Sequence, residues 1–480
     1  MSESACPTQL IDRLQRTVAP GRATLTPAEQ DSLREVTARL VGALGPQAHA
    51  ELATFRSIVD RRITVDDEAV DQVLTGAVVL VTGGTGTIGS ALLRRLAEFR
   101  PARVVSISRG ITAPVRVCPD VEYRTVDIRD LRALSTLARE IRPTVIFHLA
   151  AQHDPSLAEV DVAGTLSTNV GGTTNVLAVC RELPGVRLVH ASTGKALRPF
   201  SPDVYAGSKK MAEWLLGRHT SAHHLLTSAV RFTHVVDNSI IARRLARWTA
   251  RDEPIRLHGA DTMFYVQSAR EAADLLTSAL VGGRPGVATV HTIRDLGWPV
   301  ALLDLSLGWI ADTGSRAPVY ICGYEAGYES SPYPGLYDPR VSVERSPLVN
   351  ALEAFSTVDA TGSVDVDSYD VPAPTDLRPL VEIDGLTAEA TVAVATAGET
   401  GAVDARTTAR LRRQVESVGW TMLTGSLGSL PDAPLRRHLD LLAGLPEAQF
   451  GADNGTVRRL VLREATRRGF AGPTMDTVAS

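Results

Sequence analysis

Tyr205 and Lys209 stand four residues apart in Tyr205-Ala206-Gly207-Ser208-Lys209. On a helix that spacing places both side chains on one face. An ammonium beside a phenol lowers the phenol pKa, so Tyr205 can serve as general base or acid. Ser192 and Thr193 lie a short stretch upstream. Either hydroxyl can hydrogen-bond a substrate hydroxyl that is being oxidised. Such a pair also suits an ordinary solvated helix, so its weight depends on what positions it.

The positioning elements begin at Val78–Val81, which read as a short buried strand. Gly83-Gly84-Thr85-Gly86-Thr87-Ile88-Gly89 follows, and a helix opens at Ser90. Strand, glycine loop and helix in that order suit a dinucleotide cradle. Gly83 permits the tight turn, Gly86 lets backbone N–H groups approach a pyrophosphate, and Gly89 lets helix and strand pack closely. Thr85, Thr87 and Ile88 supply the rest of that backbone. From there, strands at 78–81, 103–107, 122–126, 145–149, 186–191 and 227–232 alternate with helical stretches at 90–99, 130–141, 168–182 and 204–217. This rhythm predicts an α/β fold, a Rossmann-like doubly wound parallel sheet that binds ligands beyond its C-terminal strand ends.

The motifs fall at those ends. The second strand runs into Ser108-Arg109 where an NAD enzyme would carry an acid, so Ser108 and Arg109 favour the 2′-phosphate of NADP, with NAD the alternative. The third ends at Asp127-Ile128, either an adenine contact or a cap for the helix near Asp130. The fourth ends His148-Leu149-Ala150-Ala151, whose small residues admit a cofactor. Asn169 opens or lies within the next helix. Tyr205 and Lys209 also border the cofactor ribose.

Composition sets the outer limits. The chain has 480 residues, enough for about two to three domains, with 44% apolar and 22% charged residues. A formal net charge of -4 gives no field that favours nucleic acid. Cys6, Cys118, Cys180 and Cys322 are far apart and show no CxxC spacing, so neither a disulfide framework nor a metal site is expected. No apolar run reaches membrane length and no signal peptide is read, so a cytoplasmic protein is expected.

Four regions are expected. Residues 1–75 read as a helical segment for packing or self-association, consistent with a homo-oligomer. Thr26-Pro27-Ala28-Glu29 starts a helix there, and Gly45-Pro46 is expected to end it. Residues 76–300 form the cofactor domain, 301–370 a substrate-side region and loop, and 371–480 a smaller α+β region. Within the last, Leu380–Ile383 and Ala390–Ala395 read as a strand pair. Three helices follow at Ala405–Val418, Leu435–Leu445 and Thr456–Arg468. Tyr324, Tyr328, Tyr333 and Tyr337 are candidate pocket residues.

With VLVTGGTGTIGSALLRR, HLAAQHDPSL, TNVGGTTNVL, HASTGKA, YAGSKKMAE and Val230-Arg231-Phe232, the chain resembles the extended short-chain dehydrogenase/reductases. More narrowly, it resembles the polysaccharide biosynthesis family of UDP-N-acetylhexosamine 4,6-dehydratases. The resemblance implies an NADP enzyme acting on a small-molecule substrate, a nucleotide-linked sugar. Its C4 would be oxidised with Tyr205, Lys209 and Thr193, and Lys195 would be the C5 base. Many family members carry N-terminal membrane helices, which are not read here. The chain also departs from the family. Gly194 replaces an aspartate, His234 an asparagine and Met263 an arginine, while Glu325 and Glu329 stand where cations are usual. A dehydratase-like or epimerase reaction is therefore expected. The alternatives are an oxidoreductase on a different substrate and a non-catalytic cofactor-binding protein.

Overall fold

The computed structural model describes residues 6–111, 113–114, 117–324, 327–328, 348, 350, 352, 357–358, 361–371, 374–397, 403–444 and 452–470. Glu325, Glu329, Tyr333 and Tyr337 lie outside the described residues. Two compact units form, each from separated stretches of chain. One comprises 1–61, 233–269 and 296–334; the other comprises 62–232, 270–295 and 335–480.

The larger unit is built on a nine-stranded sheet. Its strands are β1 (Val78–Thr82), β2 (Arg103–Ser108), β3 (Val121–Thr125), β4 (Val145–His148), β5 (Arg187–Thr193), β6 (Leu226–Phe232), β7 (Ala288–Ile293), β8 (Thr357–Val358) and β9 (Val366–Val371). They run in the order β8-β9-β7-β6-β5-β4-β1-β2-β3. From β3 to β7 every neighbour is parallel, while β9 is antiparallel to both β7 and β8. The order reverses between β1 and β4, which opens a crevice at their C-terminal ends. The doubly wound parallel sheet expected from the alternation is present.

The helices that matter to the site are α1 (Thr87–Leu96), α2 (Leu131–Ile141), α3 (Pro155–Val160), α4 (Val162–Leu166), α5 (Gly172–Glu182), α6 (Val204–His223), α7 (Ala269–Ser278), α8 (Arg378–Ala397) and α9 (Ala405–Ser429). The stretch 168–182, expected as one helix, is divided. Ser167–Gly171 form a wide π-type turn before α5 begins. The sequence read no strand at β7, although all six of its residues are buried. Burial on both sides removes the alternation that would have marked it.

One apolar core joins sheet and helices. Leu80, Ile146 and Leu188 of the sheet share it with Val162 of α4, Met211 of α6, Ile383 of α8 and Val415 of α9. The expected strand pair within 380–395 is instead the single helix α8. Ile383, Leu386 and Ala390 are its buried residues, spaced three and four apart. That helical spacing prevails over the β-branched residues between them. The three helices expected further on are present with shifted ends, at Ala405–Ser429, Asp432–Gly444 and Ala452–Arg467.

The smaller unit centres on the helix Pro27–Ser57 packed against Leu302–Thr313. Thr26 and Glu29 cap the first helix reciprocally, as expected. The helix does not stop at Gly45-Pro46; it runs through Pro46. An interior proline costs about 3 kcal/mol. The helix is closely packed just beyond that proline: a Cβ at Gly308 would lie 2.2 Å from the Ala48 carbonyl oxygen. Gln47 Nε2 also donates to Asp304 Oδ2 at 2.6 Å, and Arg56 pairs with Asp312 at 2.7 Å.

Candidate active site

The glycine loop folds as its sequence requires. Gly83 has φ +77°, and a Cβ there would lie 2.7 Å from the Ala150 nitrogen. A Cβ at Gly89 would lie 2.4 Å from the Gly83 carbonyl oxygen. Both positions therefore exclude a side chain. Gly86 differs, because its nearest neighbour would be Gly83 O at 3.6 Å. It is exposed, and as N-cap of α1 it offers no side-chain acceptor to the first N–H groups of that helix. Thr85, Thr87 and Ile88 are half-buried beside it. A helix N-terminus bordered by glycine in this way suits an anionic phosphate.

At the second strand end, Arg109 is exposed and Ser108 Oγ accepts from the Gly110 N–H at 3.3 Å. Asp127 does not cap the next helix. Asp130 does so, accepting from the Ala133 N–H at 3.0 Å. The Asp127 carboxylate instead receives Arg129 through Nε and Nη2, at 3.0 and 2.6 Å. Burial pushes its pKa up, but the Arg129 bonds and charge, with Arg109 adding to them, bring it below the ordinary value. Ile128 is buried, and its side chain occupies the space beside Gly172.

Leu149, Ala150 and Ala151 are half-buried at the end of β4. Beneath them runs a buried polar chain. The Ala150 N–H donates to Thr82 Oγ1, which lies 2.8 Å from His148 Nδ1. His148 Nε2 lies 3.0 Å from Thr173 Oγ1, and that hydroxyl donates to the Asn169 carbonyl. Burial lowers the His148 pKa to about 3, so the ring is neutral. With Thr173 Oγ1 donating onward, the Nε2–H tautomer completes the chain. Asn169 is buried and its amide is engaged: Oδ1 accepts from the Gln152 N–H, while Nδ2 donates to Gln152 O and Ser208 Oγ. Ser208 Oγ donates in turn to the Tyr205 carbonyl. Its side chain thus ties the β4 exit to α6.

Tyr205, Thr193, Lys195 and Lys209 come together where β5 meets α6. The Tyr205 phenol is half-buried and hydrogen-bonded to the Thr193 side chain. Burial pushes its pKa up; the Thr193 bond and the Lys195 charge pull it back without cancelling the rise. The expected lowering by Lys209 is therefore not what this geometry shows: Lys195 is the cation that acts on the phenol. Lys209 is 4% exposed and donates from Nζ to the Ala191 carbonyl at 2.5 Å. Burial lowers its pKa to about 8, against the pull of Glu213. Thr193 Oγ1 also accepts from the Lys195 N–H at 3.3 Å.

Several supporting residues lie in the quoted motifs, but the sequence reading gave them no role. Glu213 is one turn beyond Lys209, and its carboxylate holds both Ser192 Oγ and Arg231. Arg231 is 2% exposed and donates further to Leu348 O at 2.9 Å. Removing one partner strands the other charge in the core. Arg231→Met is thus expected to cost about 3–5 kcal/mol of stability, measured by urea denaturation. A loss below about 1 kcal/mol would contradict the pairing. His190, beside His148 at 5.2 Å between ring centroids, is buried with no hydrogen-bond partner for either nitrogen.

In the smaller unit, His258 stacks against Tyr324 and packs against Tyr328, at 5.6 and 4.4 Å between ring centroids. Met263 sits in a short strand paired with Val300–Ala301. Among the described residues no His, Cys, Asp and Glu group could hold a metal ion, and no helix is long and apolar enough to cross a membrane.

The family described as "Polysaccharide biosynthesis protein" matches residues 79–321. The chain belongs to that family. The chain is 25% identical over 283 residues to the probable polysaccharide biosynthesis protein EpsC of Bacillus subtilis, covering 55% of the chain and 46% of that protein. It is 27% identical over 317 residues to the dTDP-4-keto-6-deoxy-D-glucose reductase of Streptomyces niveus, covering 57% of the chain and 98% of the reductase. A 143-residue stretch is 29% identical to the inverting UDP-N-acetylglucosamine 4,6-dehydratase of Campylobacter jejuni, covering 28% of the chain and 42% of that enzyme. The chain thus spans under half the length of the Bacillus and Campylobacter relatives. Among solved structures, Pen from Bacillus thuringiensis matches with a TM-score of 0.50 at 20% identity, covering 63% of the chain and 88% of that structure. That likeness extends to the fold.

Proposed function

We propose that the chain is an NADP-dependent enzyme that modifies a nucleotide-linked sugar by oxidation at C4. The observation that carries this reading is the meeting of Tyr205 with Thr193 and Lys195, one turn from buried Lys209, in a sheet whose β1 runs into the glycine cradle. Gly86, the first turn of α1 and the half-buried Leu149–Ala151 would hold the dinucleotide, with Arg109 toward its 2′-phosphate. Bound nicotinamide supplies hydride acceptance and return. The chain's own groups do the rest. Thr193 orients the sugar hydroxyl, Tyr205 takes its proton, and Lys195 favours the phenolate that makes this possible. Lys209 fixes the end of β5 through Ala191, and its remaining N–H groups would hold the ribose.

Arg109→Ala is expected to weaken NADP binding about 10- to 100-fold and leave NAD binding unchanged, the effect of one charge-assisted contact. Equal affinities of the unaltered protein for the two cofactors would remove the NADP assignment.

A second observation favours a reaction that keeps the C6 hydroxyl. Gly194 stands where the family resemblance leads one to expect an acid. A Cβ there would lie 2.7 Å from Leu348 Cδ2 and 3.3 Å from the Phe232 carbonyl. Leu348 is 2% exposed, so an apolar group fills that space. Epimerisation or oxidation is favoured over loss of water. The test is incubation with UDP-N-acetylglucosamine and other nucleotide sugars plus NADP, following product mass and cofactor absorbance. Product of unchanged mass indicates epimerisation, and net cofactor reduction indicates oxidation. Loss of water would restore the dehydratase reading. No turnover across the panel, with NADP bound, would overturn the nucleotide-sugar assignment.

A further inference from the structure

The helix that carries Tyr205 is capped from outside. Asp203 precedes α6, yet its side chain makes no capping bond; Oδ2 accepts from Ser201 Oγ at 3.1 Å. The Val204 N–H, first in α6, is instead bonded by Glu159 Oε1 at 2.8 Å. Glu159 comes from the end of α3 and is 8% exposed. A carboxylate so buried needs a partner. Arg412 of α9 provides it: Nε lies 3.3 Å from Oε2, and Nη2 donates to the Glu159 carbonyl.

The same stripe of α9 continues along α6. Val415 meets Gly207, where a Cβ would lie 2.8 Å from Val415 Cγ1. Gly207 is the middle residue of the Tyr205–Lys209 motif. Four residues on, Gly419 meets Phe200, at 3.2 Å from a Cβ placed there, and the Phe200 ring stacks on Trp420 at 3.6 Å. Positions 412, 415 and 419 have the spacing of one helix face. They touch, in turn, the cap of α6, the back of its first turns and the segment leading into it.

We infer that α9 is a positioning element for the reaction, with Arg412 acting through Glu159 to fix the first turn of α6 and hence the Tyr205 phenol. This rests on the proposed role of Tyr205. A loosened first turn weakens the Thr193–Tyr205 bond, which pulls the phenol pKa down. The groups facing the Glu159 carboxyl from packed elements are Arg412 of α9, and Asp203 with the Val204 N–H at the start of α6. Without Arg412 the carboxyl keeps its burial and its acidic neighbour. It then takes up a proton at higher pH, and the charged cap is lost as pH falls.

The test is a difference titration of tyrosinate absorbance in the full chain without cofactor, each protein read against its Tyr205→Phe counterpart. Arg412→Gln is expected to raise the proton affinity of the Tyr205 phenol about tenfold. Arg412→Lys, which keeps the charge, should restore most of the change, and Arg413→Gln, on the exposed side of α9, should produce none. Val415→Ala opens the contact on Gly207 while leaving the ion pair, and it carries the same test if Arg412→Gln does not fold. Early melting of Arg412→Gln or Val415→Ala with an unmoved Tyr205 titration would show a merely structural role and overturn the inference. A moved titration together with full nucleotide-sugar turnover by Tyr205→Phe would leave α9 holding the Tyr205 phenol in place but would remove both from the proposed chemistry.

Discussion

Turnover by Tyr205→Phe is expected to fall by about 10²- to 10⁴-fold, the usual range for a lost general acid–base group. Phenylalanine keeps the ring that packs between β5 and α6 and removes the one atom that bonds Thr193. Cofactor affinity and melting temperature should therefore change little, because the glycine cradle and the α6 cap involve other groups. The measurement is kcat at saturating substrate beside the dissociation constant for NADP. Activity above about a tenth of the original would mean that another group moves the proton. Lys195 separates two roles in the same assay. Its charge pulls the phenol pKa down, so its loss in Lys195→Met should shift the pH profile to higher pH, since the phenol would then ionise later.

Stability should fall steeply in mild acid. His148, His190, His291 and His438 are each at most 3% exposed, and burial lowers all four pKa values. His148 falls from 6.5 to about 3, and His291 and His438 to about 4. An unfolded chain protonates these rings near 6.5, while the folded chain keeps them neutral. Below that pH the unfolded state binds more protons, so stability declines as pH drops. Each such ring contributes a limiting slope of about 1.4 kcal/mol per pH unit. The loss begins near pH 6.5 and continues to about 4, where His291 and His438 protonate in the folded state as well. Glu159 and Asp274, whose pKa values burial raises, act in the opposite sense. Arg412 holds the first back, and Arg270 and Arg95 the second. Urea midpoints between pH 7 and about 5 should fall accordingly; a flat series would show that the rings are solvated.

The glycine turn and the strand ends were legible because both are local. Gly83, Gly86 and Gly89 announce a backbone path that few other residues tolerate. The four-residue spacing of Tyr205 and Lys209 likewise survives as one helical face. The Asp127 alternatives were harder, because Asp130 and Arg129 compete for the same roles within three residues. Long-range contacts were not legible at all. Nothing near Glu159 points to Arg412, and nothing near Pro46 points to Gly308, which meets the helix at Ala48. Residues 380–395 mixed two periods, and the buried set Ile383, Leu386 and Ala390 shows which one packing selected.

The gap between Ala48 and Gly308 also has a temporal meaning. These residues meet in the smaller unit but are separated by about 260 positions of chain. At roughly 5–20 residues per second, synthesis brings out the second partner about 13 to 50 s after the first. Throughout that interval Ala48 and Leu52, which meet Gly308 in the finished protein, lack that partner. The nascent helix Pro27–Ser57 is thus a waiting apolar surface on the ribosome, and chaperone occupancy should be greatest before residue 308 emerges.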